Sequence, residues 1–359
     1  MEEKNEYIKG RGAQINTENR FIKKHTEKYY DDLPTHEERE DLAINNAKTK
    51  FIDVHPKTIL NKVTSPDLGF GYSMNPYQGC EHGCIYCYAR NSHEYWDFSP
   101  GLDFEQNIMV KKNAHSLLRD AFMKKGWEPT TIMLSGNTDC YQPIERKMQI
   151  TRKILEVCAE FSHPVSIITK NTMIERDMDI LQELSKDNLV HVTLSLTTLN
   201  EDLKRIMEPR TASVRNILRT LETFAKNGIP VNINAAPMIP ALNDHELPKI
   251  IKTVAGYGAS RVSYIVVRLN HEVATIFEDW IRKNFPDRAE NVLKKTKYLH
   301  GGNLFDSRYG KRMSGEGIFA EMIKKQYQIA MNKYMSGRSM PAFNKTLFYQ
   351  KVNKQMSLF

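Results

Sequence analysis

Nowhere in these 359 residues do apolar side chains run on for the roughly 18 positions that a membrane span needs. The opening stretch, Met1-Glu2-Glu3-Lys4-Asn5-Glu6, is charged where a secretion signal would be apolar. These two absences set the expectation of a cytoplasmic protein with no membrane partner. No internal repeat and no low-complexity tract stands out, so nothing marks a repeat array. Cysteine is scarce: there are five, an odd number, and three fall between Cys80 and Cys87. A disulfide framework is dense, paired and typical of short secreted chains, and that use fits badly here. Clustered thiols in a reducing compartment point instead to a metal.

What is present describes an ordinary globular chain, 40% hydrophobic and 26% charged. Its length suffices to bury a full α/β core in one large domain with extensions. Lysine and arginine number 51 against 43 acidic residues, a net charge of +8. Such a surplus favours a polyanionic partner such as nucleic acid, and describes a solvated basic surface equally well.

Residues 1–65 are polar, show little periodicity and read as an irregular extension wrapped on the core. From residue 66 to 285, short apolar runs alternate with amphipathic stretches. The runs are Gly71–Tyr77, Thr131–Leu134, Val165–Ile168, Val190–Leu196, Val231–Asn234 and Val262–Val267. Their Val, Ile and Thr content is that of strands buried on both faces. Arg146–Phe161, Ile174–Ser185, Val214–Asn227 and Leu247–Tyr257 lie between them at helical spacing. Asn227-Gly228 reads as a helix stop, with Pro230 opening the next strand. The alternation predicts an α/β fold, a partial (β/α)6 barrel of parallel strands with N- and C-terminal extensions. Residues 286–335 are basic and glycine-containing, with a helical stretch from Ile318 to about Met335, and read as a lid or substrate segment. Residues 336–359 read as a flexible tail.

The ends of the runs carry a second pattern. They close on Cys80, on Ser135-Gly136-Asn137-Thr138-Asp139, on Thr169-Lys170, on Ser195 and Thr197-Thr198, on Asn234-Ala235-Ala236-Pro237 and on Arg268. A plain core has no need of such polar and small residues. The C-terminal strand ends are where parallel barrels build active sites.

Gly79-Cys80-Glu81-His82-Gly83-Cys84-Ile85-Tyr86-Cys87-Tyr88 has the spacing C-x3-C-x2-C. Three thiolates in one tight loop can hold three irons of a cubane cluster and leave the fourth open to an outside ligand. Gly79 and Gly83 let the backbone curl around an inorganic core. Zinc is the alternative, but a structural zinc site wants four closed ligands. The fourth would come from His82, Cys140 or Cys158, and His82 is too near in the chain to complete a tetrahedron easily.

C-x3-C-x2-C with Tyr86 before the last cysteine resembles the signature of the radical SAM superfamily. The longer strings Asn75–Arg90, Gly136–Glu145 and Leu242-Asn243-Asp244-His245-Glu246 resemble a narrower group, the spore photoproduct lyase-like proteins often labelled DNA repair photolyases. The resemblance spans about residues 65–330. It implies that Cys80, Cys84 and Cys87 hold a 4Fe–4S cluster whose open iron is chelated by S-adenosylmethionine. One-electron cleavage would then leave methionine and a 5′-deoxyadenosyl radical that removes hydrogen from a substrate. A flavodoxin- or ferredoxin-type reductant would supply the electron.

The resemblance also places Tyr86, Gly136, Asn137 and Thr138, Ser195 and Thr197, Glu208 and Arg210, and Asn234 as candidate contacts of S-adenosylmethionine. A tight turn, a wet barrel interior and a structural ion pair are the plainer readings of these positions. Spore photoproduct lyase uses an additional cysteine near the end of the second strand to return hydrogen to its product. Cys140, about four residues beyond the matching position, is the candidate for that catalytic role, whereas Cys158 reads as core. The implied substrate is nucleic acid, such as a DNA lesion, with Arg308, Lys311 and Arg312 offering phosphate contacts. RNA, a peptide or a small molecule is the alternative under the same chemistry, and a non-catalytic, metal-stabilised nucleic-acid-binding protein is the second alternative. Finally, Gln355-Met356-Ser357-Leu358-Phe359 resembles the peptide by which bacterial repair proteins bind the DNA sliding clamp.

Overall fold

The computed structural model describes residues 8–21 and 48–348, so Gln355–Phe359 and the proposed clamp contact lie outside the described residues. Its strands are β1 (Lys50–Asp53), β2 (Leu60–Lys62), β3 (Tyr72–Met74), β4 (Tyr77–Gln78), β5 (Asn107–Val110), β6 (Ile132–Leu134), β7 (Val165–Thr169), β8 (Val190–Ser195), β9 (Val231–Met238) and β10 (Arg261–Val266). The main sheet runs β10-β9-β8-β7-β6-β3-β2. Its pairs from β3 through β10 are all parallel, and β2 closes the edge antiparallel to β3. Strands adjacent in space follow one another along the chain, as crossover connections require. This is the partial barrel that the alternation predicts.

The crossovers lie outside the sheet. Helices Ile150–Glu160, Met178–Lys186, Val214–Lys226 and Leu247–Gly256 bury Ile154 and Leu155, Leu181 and Leu184, Ile217 and Leu221, and Ile250 and Val254 against it. The Ser213 hydroxyl accepts from the Asn216 N–H at 3.3 Å and starts the third of them, a standard N-cap. The first is shorter than expected, because Gln149 at φ +51° separates it from a single turn at Glu145–Met148.

Burial corrects one expectation about the strands. Along β9, Val231, Ile233 and Ala235 are buried under the helices while Asn232 and Asn234 are only partly covered. The Asn232 amide donates to Thr193 on β8 at 3.3 Å and to Ser263 on β10 at 3.2 Å. These strands are therefore apolar on the helix side and polar on the barrel side. They are not buried on both faces.

The first run, Gly71–Tyr77, divides at Asn75-Pro76. Beyond it, β4 joins β5 and β1 in a separate three-stranded sheet that carries the cysteine loop. After β10, helices Glu272–Asn284 and Pro286–Leu299 follow without a break in burial, where the sequence showed only weakening periodicity. Helix Gly317–Tyr334 lies across the barrel wall, the Tyr327 hydroxyl donating to the Val262 carbonyl at 2.8 Å.

The tail expected from Ser336 is docked through residue 348. Arg338 donates to the carbonyls of Ala255 and Ala259, Phe343 stacks on His191 at 3.7 Å, and Phe348 is buried among Phe122, Phe161 and His163. Two aromatic side chains are enough to hold a polar segment whose hydropathy pattern gives no sign of it. No helix among the described residues is long and apolar enough to cross a membrane.

Candidate active site

The cysteine loop leaves β4 at the mouth formed by the C-terminal strand ends. Cys80 and Cys84 are buried and Cys87 partly so. Four groups of contacts fix the loop. The Cys80 N–H donates to the Phe104 carbonyl at 2.9 Å, and Ile85 N–H to Met207 at 3.1 Å. Gln142 accepts from the Glu81 N–H at 2.9 Å and donates to the Gly79 carbonyl at 3.2 Å. The Glu81 carboxylate in turn accepts from the Ile144 N–H at 2.7 Å. Arg90, wholly buried, donates to the carbonyls of Cys84, Pro100 and Gly101 and pairs with Glu105 at 2.5 Å. A loop held by its own carbonyls and N–H groups keeps its thiols in place before any metal arrives.

Part of the polar N-terminal extension completes this frame. Ile8–Phe21 forms a strap over the back of the loop, and the Glu105 carboxylate accepts from the N–H groups of Gly12 and Ala13 at 3.0 and 2.9 Å. A Cβ on Gly12 would sit 1.7 Å from the Gly83 carbonyl oxygen, so only glycine fits there. Gly83 itself has φ +67°, and a Cβ on it would come within 2.8 Å of Glu105.

Burial first, then the nearby Asp139 carboxylate, pushes the Cys80 thiol up. Burial and Glu208 do the same for Cys84, against the opposing pull of Lys170. Burial raises Cys87 despite Arg90. Without metal the three thiols keep their protons, and metal binding must release them. Among the described residues no three His, Cys, Asp or Glu side chains are arranged to hold a single metal ion. Three thiols on one loop, each serving a different iron, fit a cluster with an open corner. Cys158 and Cys140 stand elsewhere in the barrel core.

The motifs that carried the family resemblance act as braces. Asp139 accepts from Thr169 and from the Lys170 N–H, both at 2.8 Å, and faces His82 at 3.3 Å. It ties the cysteine loop to the end of β7. Asn243 donates to the Thr197 and Pro237 carbonyls at 2.8 and 3.0 Å, joining the ends of β8 and β9. Glu246 accepts from Thr198 and the Leu199 N–H, both at 2.7 Å.

Tyr86, Thr197 and Glu208 do come together, around the buried carboxylate of Glu208. The Tyr86 hydroxyl, the Thr197 hydroxyl (2.5 Å) and the Lys204 ammonium donate to it, and Lys170 approaches to 3.4 Å. Burial alone would raise this carboxyl, but Lys170 and Lys204 with the Thr197 bond hold it far below the usual carboxylate range. Glu208 and Arg210 do not pair with each other: Lys204, one helical turn back, takes the acid. Arg210 turns away from the mouth and donates to the Gly10 carbonyl of the strap at 2.9 Å.

The remaining candidates separate into two places. Ser195 and Asn234 are register partners on β8 and β9 at the barrel interior, where Ser263 donates to Asn234 at 3.2 Å. Gly136, Asn137 and Thr138 follow β6 at the rim. Tyr88 donates to the Gly136 carbonyl, Asn137 N–H donates to Asn75 at 2.8 Å, and Thr138 donates to the Tyr77 carbonyl at 2.6 Å. Cys140 is wholly buried below that turn. Its backbone N–H donates to Ser135 and its carbonyl accepts from Thr151, and burial pushes its thiol well up. Burial in the hydrophobic core is the setting of a packed thiol, and the raised affinity for its proton keeps the S–H bond intact.

The basic lid is also rearranged. Arg308 is held by Asp306 and Glu316, Lys311 by Glu316, and Arg312 by Asp67 at 2.6 Å. The charges expected to meet phosphate are neutralised by acids of the same fold.

Three comparisons bear on this arrangement. The sequence model of the Radical SAM superfamily matches residues 74–254. An uncharacterized protein of Mycobacterium tuberculosis is 32% identical over 255 residues, 69% of this chain and 75% of that protein. Another from Methanocaldococcus jannaschii is 27% identical over 254 residues, 70% and 90% of the two chains. Among solved structures, a double variant of spore photoproduct lyase with bound AdoMet and dinucleoside spore photoproduct aligns over 82% of each chain. Its TM-score is 0.61 at 15% identity. A Tyr-to-Phe variant of the lyase gives the same TM-score over 90% of this chain and 89% of its own, also at 15% identity. At that identity the likeness is one of fold.

Proposed function

Since this chain belongs to the radical SAM superfamily, whose members use a 4Fe–4S cluster and S-adenosylmethionine, we propose that it removes a hydrogen atom from a nucleic-acid substrate, in the first place a DNA lesion. Cys80, Cys84 and Cys87 would hold the cluster, leaving one iron for the amine and carboxylate of S-adenosylmethionine. When bound, the pair supplies one electron and the hydrogen-abstracting fragment. Gly136–Thr138 at the rim and Ser195 and Asn234 in the barrel would line the cofactor. The Glu208 group acts behind them, holding Tyr86 and with it the cysteine loop.

One observation carries the substrate class: the helical turn that follows the cysteine loop, Tyr88–Trp96, exposes Tyr88 beside the end of β6, together with Tyr95 and Trp96 farther along it. Exposed rings suit unstacked bases, each worth about 1–3 kcal/mol on an aromatic face. The fold of a lyase seen with a dinucleoside photoproduct supports the same reading.

The test is anaerobic reconstitution followed by mass spectrometry of deuterium exchange between 5′-deoxyadenosine and candidate DNAs, irradiated and intact. Exchange with DNA supports the reading. Deoxyadenosine formation with exchange only into RNA, a peptide or a small molecule would overturn the DNA assignment. Neither deoxyadenosine nor cluster absorbance would leave a non-catalytic nucleic-acid-binding protein.

A further inference from the structure

We propose that Arg268 binds a phosphodiester of the substrate strand, an assignment that rests on the nucleic-acid reading above. Arg268 stands two residues beyond β10, at the barrel mouth. Its backbone position is fixed on both sides: Val267 N–H donates to Met238 at 2.9 Å, and Leu269 N–H to Leu304 at 3.1 Å. Its guanidinium lies 5.9 Å from the centre of the Tyr88 ring. Tyr88 is itself tied to the end of β6 through Gly136.

The side chain is distinguished by what it lacks. Among the described residues, the Arg268 guanidinium makes no hydrogen bond and no ion pair. The basic residues nearest it in the lid segment are matched to carboxylates: Arg308 to Asp306 and Glu316, Arg312 to Asp67. Arg268 is partly buried, and no acceptor among the described residues meets its five N–H donors. Burial, and then Arg312 beside it, lowers its affinity for its proton, with Tyr88 and Asp67 only partly offsetting this. An anion delivered to this position would meet an unsatisfied planar fork, the geometry that suits phosphate.

The neighbours indicate a nucleotide chain over other anions. Arg312 lies 4.7 Å over the Tyr309 ring, which is 60% exposed, and Tyr88 on the other side is 48% exposed. The rim thus runs aromatic, arginine, arginine, aromatic, and only Arg268 of the two cations is without a carboxylate. A backbone phosphate on Arg268 would leave flanking bases within reach of both rings.

The test uses the reconstituted full-length protein under nitrogen and a fluorescently labelled single-stranded deoxyoligonucleotide, titrated by anisotropy from 50 to 300 mM salt. Arg268→Ala should weaken binding roughly tenfold and reduce the log–log salt slope by about 0.7, the loss of one single-strand phosphate contact. Arg268→Lys should restore the slope but not the full affinity. Binding of S-adenosylmethionine, followed by equilibrium dialysis, should be unchanged in both variants. Wild-type binding with an unchanged slope in Arg268→Ala would remove the Arg268 assignment alone. Loss of S-adenosylmethionine binding with intact oligonucleotide binding would make the anion the cofactor carboxylate and overturn the proposal. No oligonucleotide binding by the wild type would remove the nucleic-acid reading itself.

Discussion

Replacing Glu208 with glutamine strips the negative charge from a group that faces Lys204, itself buried, and Lys170, which is 18% exposed. Removing one partner of a buried pair typically costs about 3–5 kcal/mol, because the remaining charge is stranded. Two features place the cost near the lower end: glutamine keeps an acceptor for Thr197, and Lys170 can turn toward water. At about 2 °C per kcal/mol for a large domain, a loss of about 3 kcal/mol lowers Tm by roughly 6 °C. The measurement belongs on the apo protein, by circular dichroism, since bound cluster would add its own stabilisation. Adding Lys204→Met to Glu208→Gln removes the stranded ammonium and should recover part of the loss, a coupling of about 1 kcal/mol or more. Folding depresses the Glu208 carboxyl, so its contribution is complete above the ordinary value of 4.5 and fades as pH falls below it. A Glu208→Gln protein that melts within about 1 °C of wild type, or effects that simply add in the double variant, would refute the buried brace.

Cys84→Ala should leave the purified, reconstituted protein without cluster absorbance or stoichiometric iron, while Cys140→Ala should retain both; wild-type iron in Cys84→Ala would defeat the loop assignment. His163 accepts from the Trp127 indole at 3.2 Å, and burial lowers it to about 3. Folding therefore favours neutral His163, and stability should fall as pH drops below about 6.5. His163→Gln should flatten that limb of the profile in urea titrations. Phe348→Ala empties a site among Phe122, Phe161 and His163 and should cost about 3 kcal/mol, the low end for a buried phenylalanine; a loss under 1 kcal/mol would mean that this docking is dispensable.

The barrel strands were legible because β6 through β10 write themselves in β-branched runs that end in polar residues. β1, by contrast, is Lys50-Phe51-Ile52-Asp53 with all four residues exposed, and its pairing with β5 is made by backbone alone. No hydropathy pattern marks such a strand. The cysteine loop was legible from spacing, whereas the hydrogen bonds that gather Tyr86 and Thr197 around Glu208 were not. Arg210 lies two residues past Glu208 but donates to the strap, a direction that proximity in sequence does not give. Arg268 could be read as a strand-end residue, but the absence of a partner is a property of three-dimensional neighbours only. The same limit hid the acids that neutralise Arg308, Lys311 and Arg312, one of which, Asp67, lies 245 residues away in the chain.

The strap imposes a rule of length rather than of letters. Gly10 offers a carbonyl to Arg210, Gly12 and Ala13 offer N–H groups to Glu105, Ile15 offers a carbonyl to Leu102, and Thr17 an N–H to Ser99. These contacts use main chain from the strap, so the side chains at those positions can change without loosening the seal behind the cysteines. Gly12 is one exception already described, and Arg11, buried and donating to the Glu105 carbonyl at 2.7 Å, Asn16, bonded to Asp103, and Arg20, paired with Glu94, are others. One residue inserted after Ala13 would move every later donor and acceptor off its partner at once. In a mutational scan of this segment, iron retention should tolerate substitution widely and insertion or deletion hardly at all.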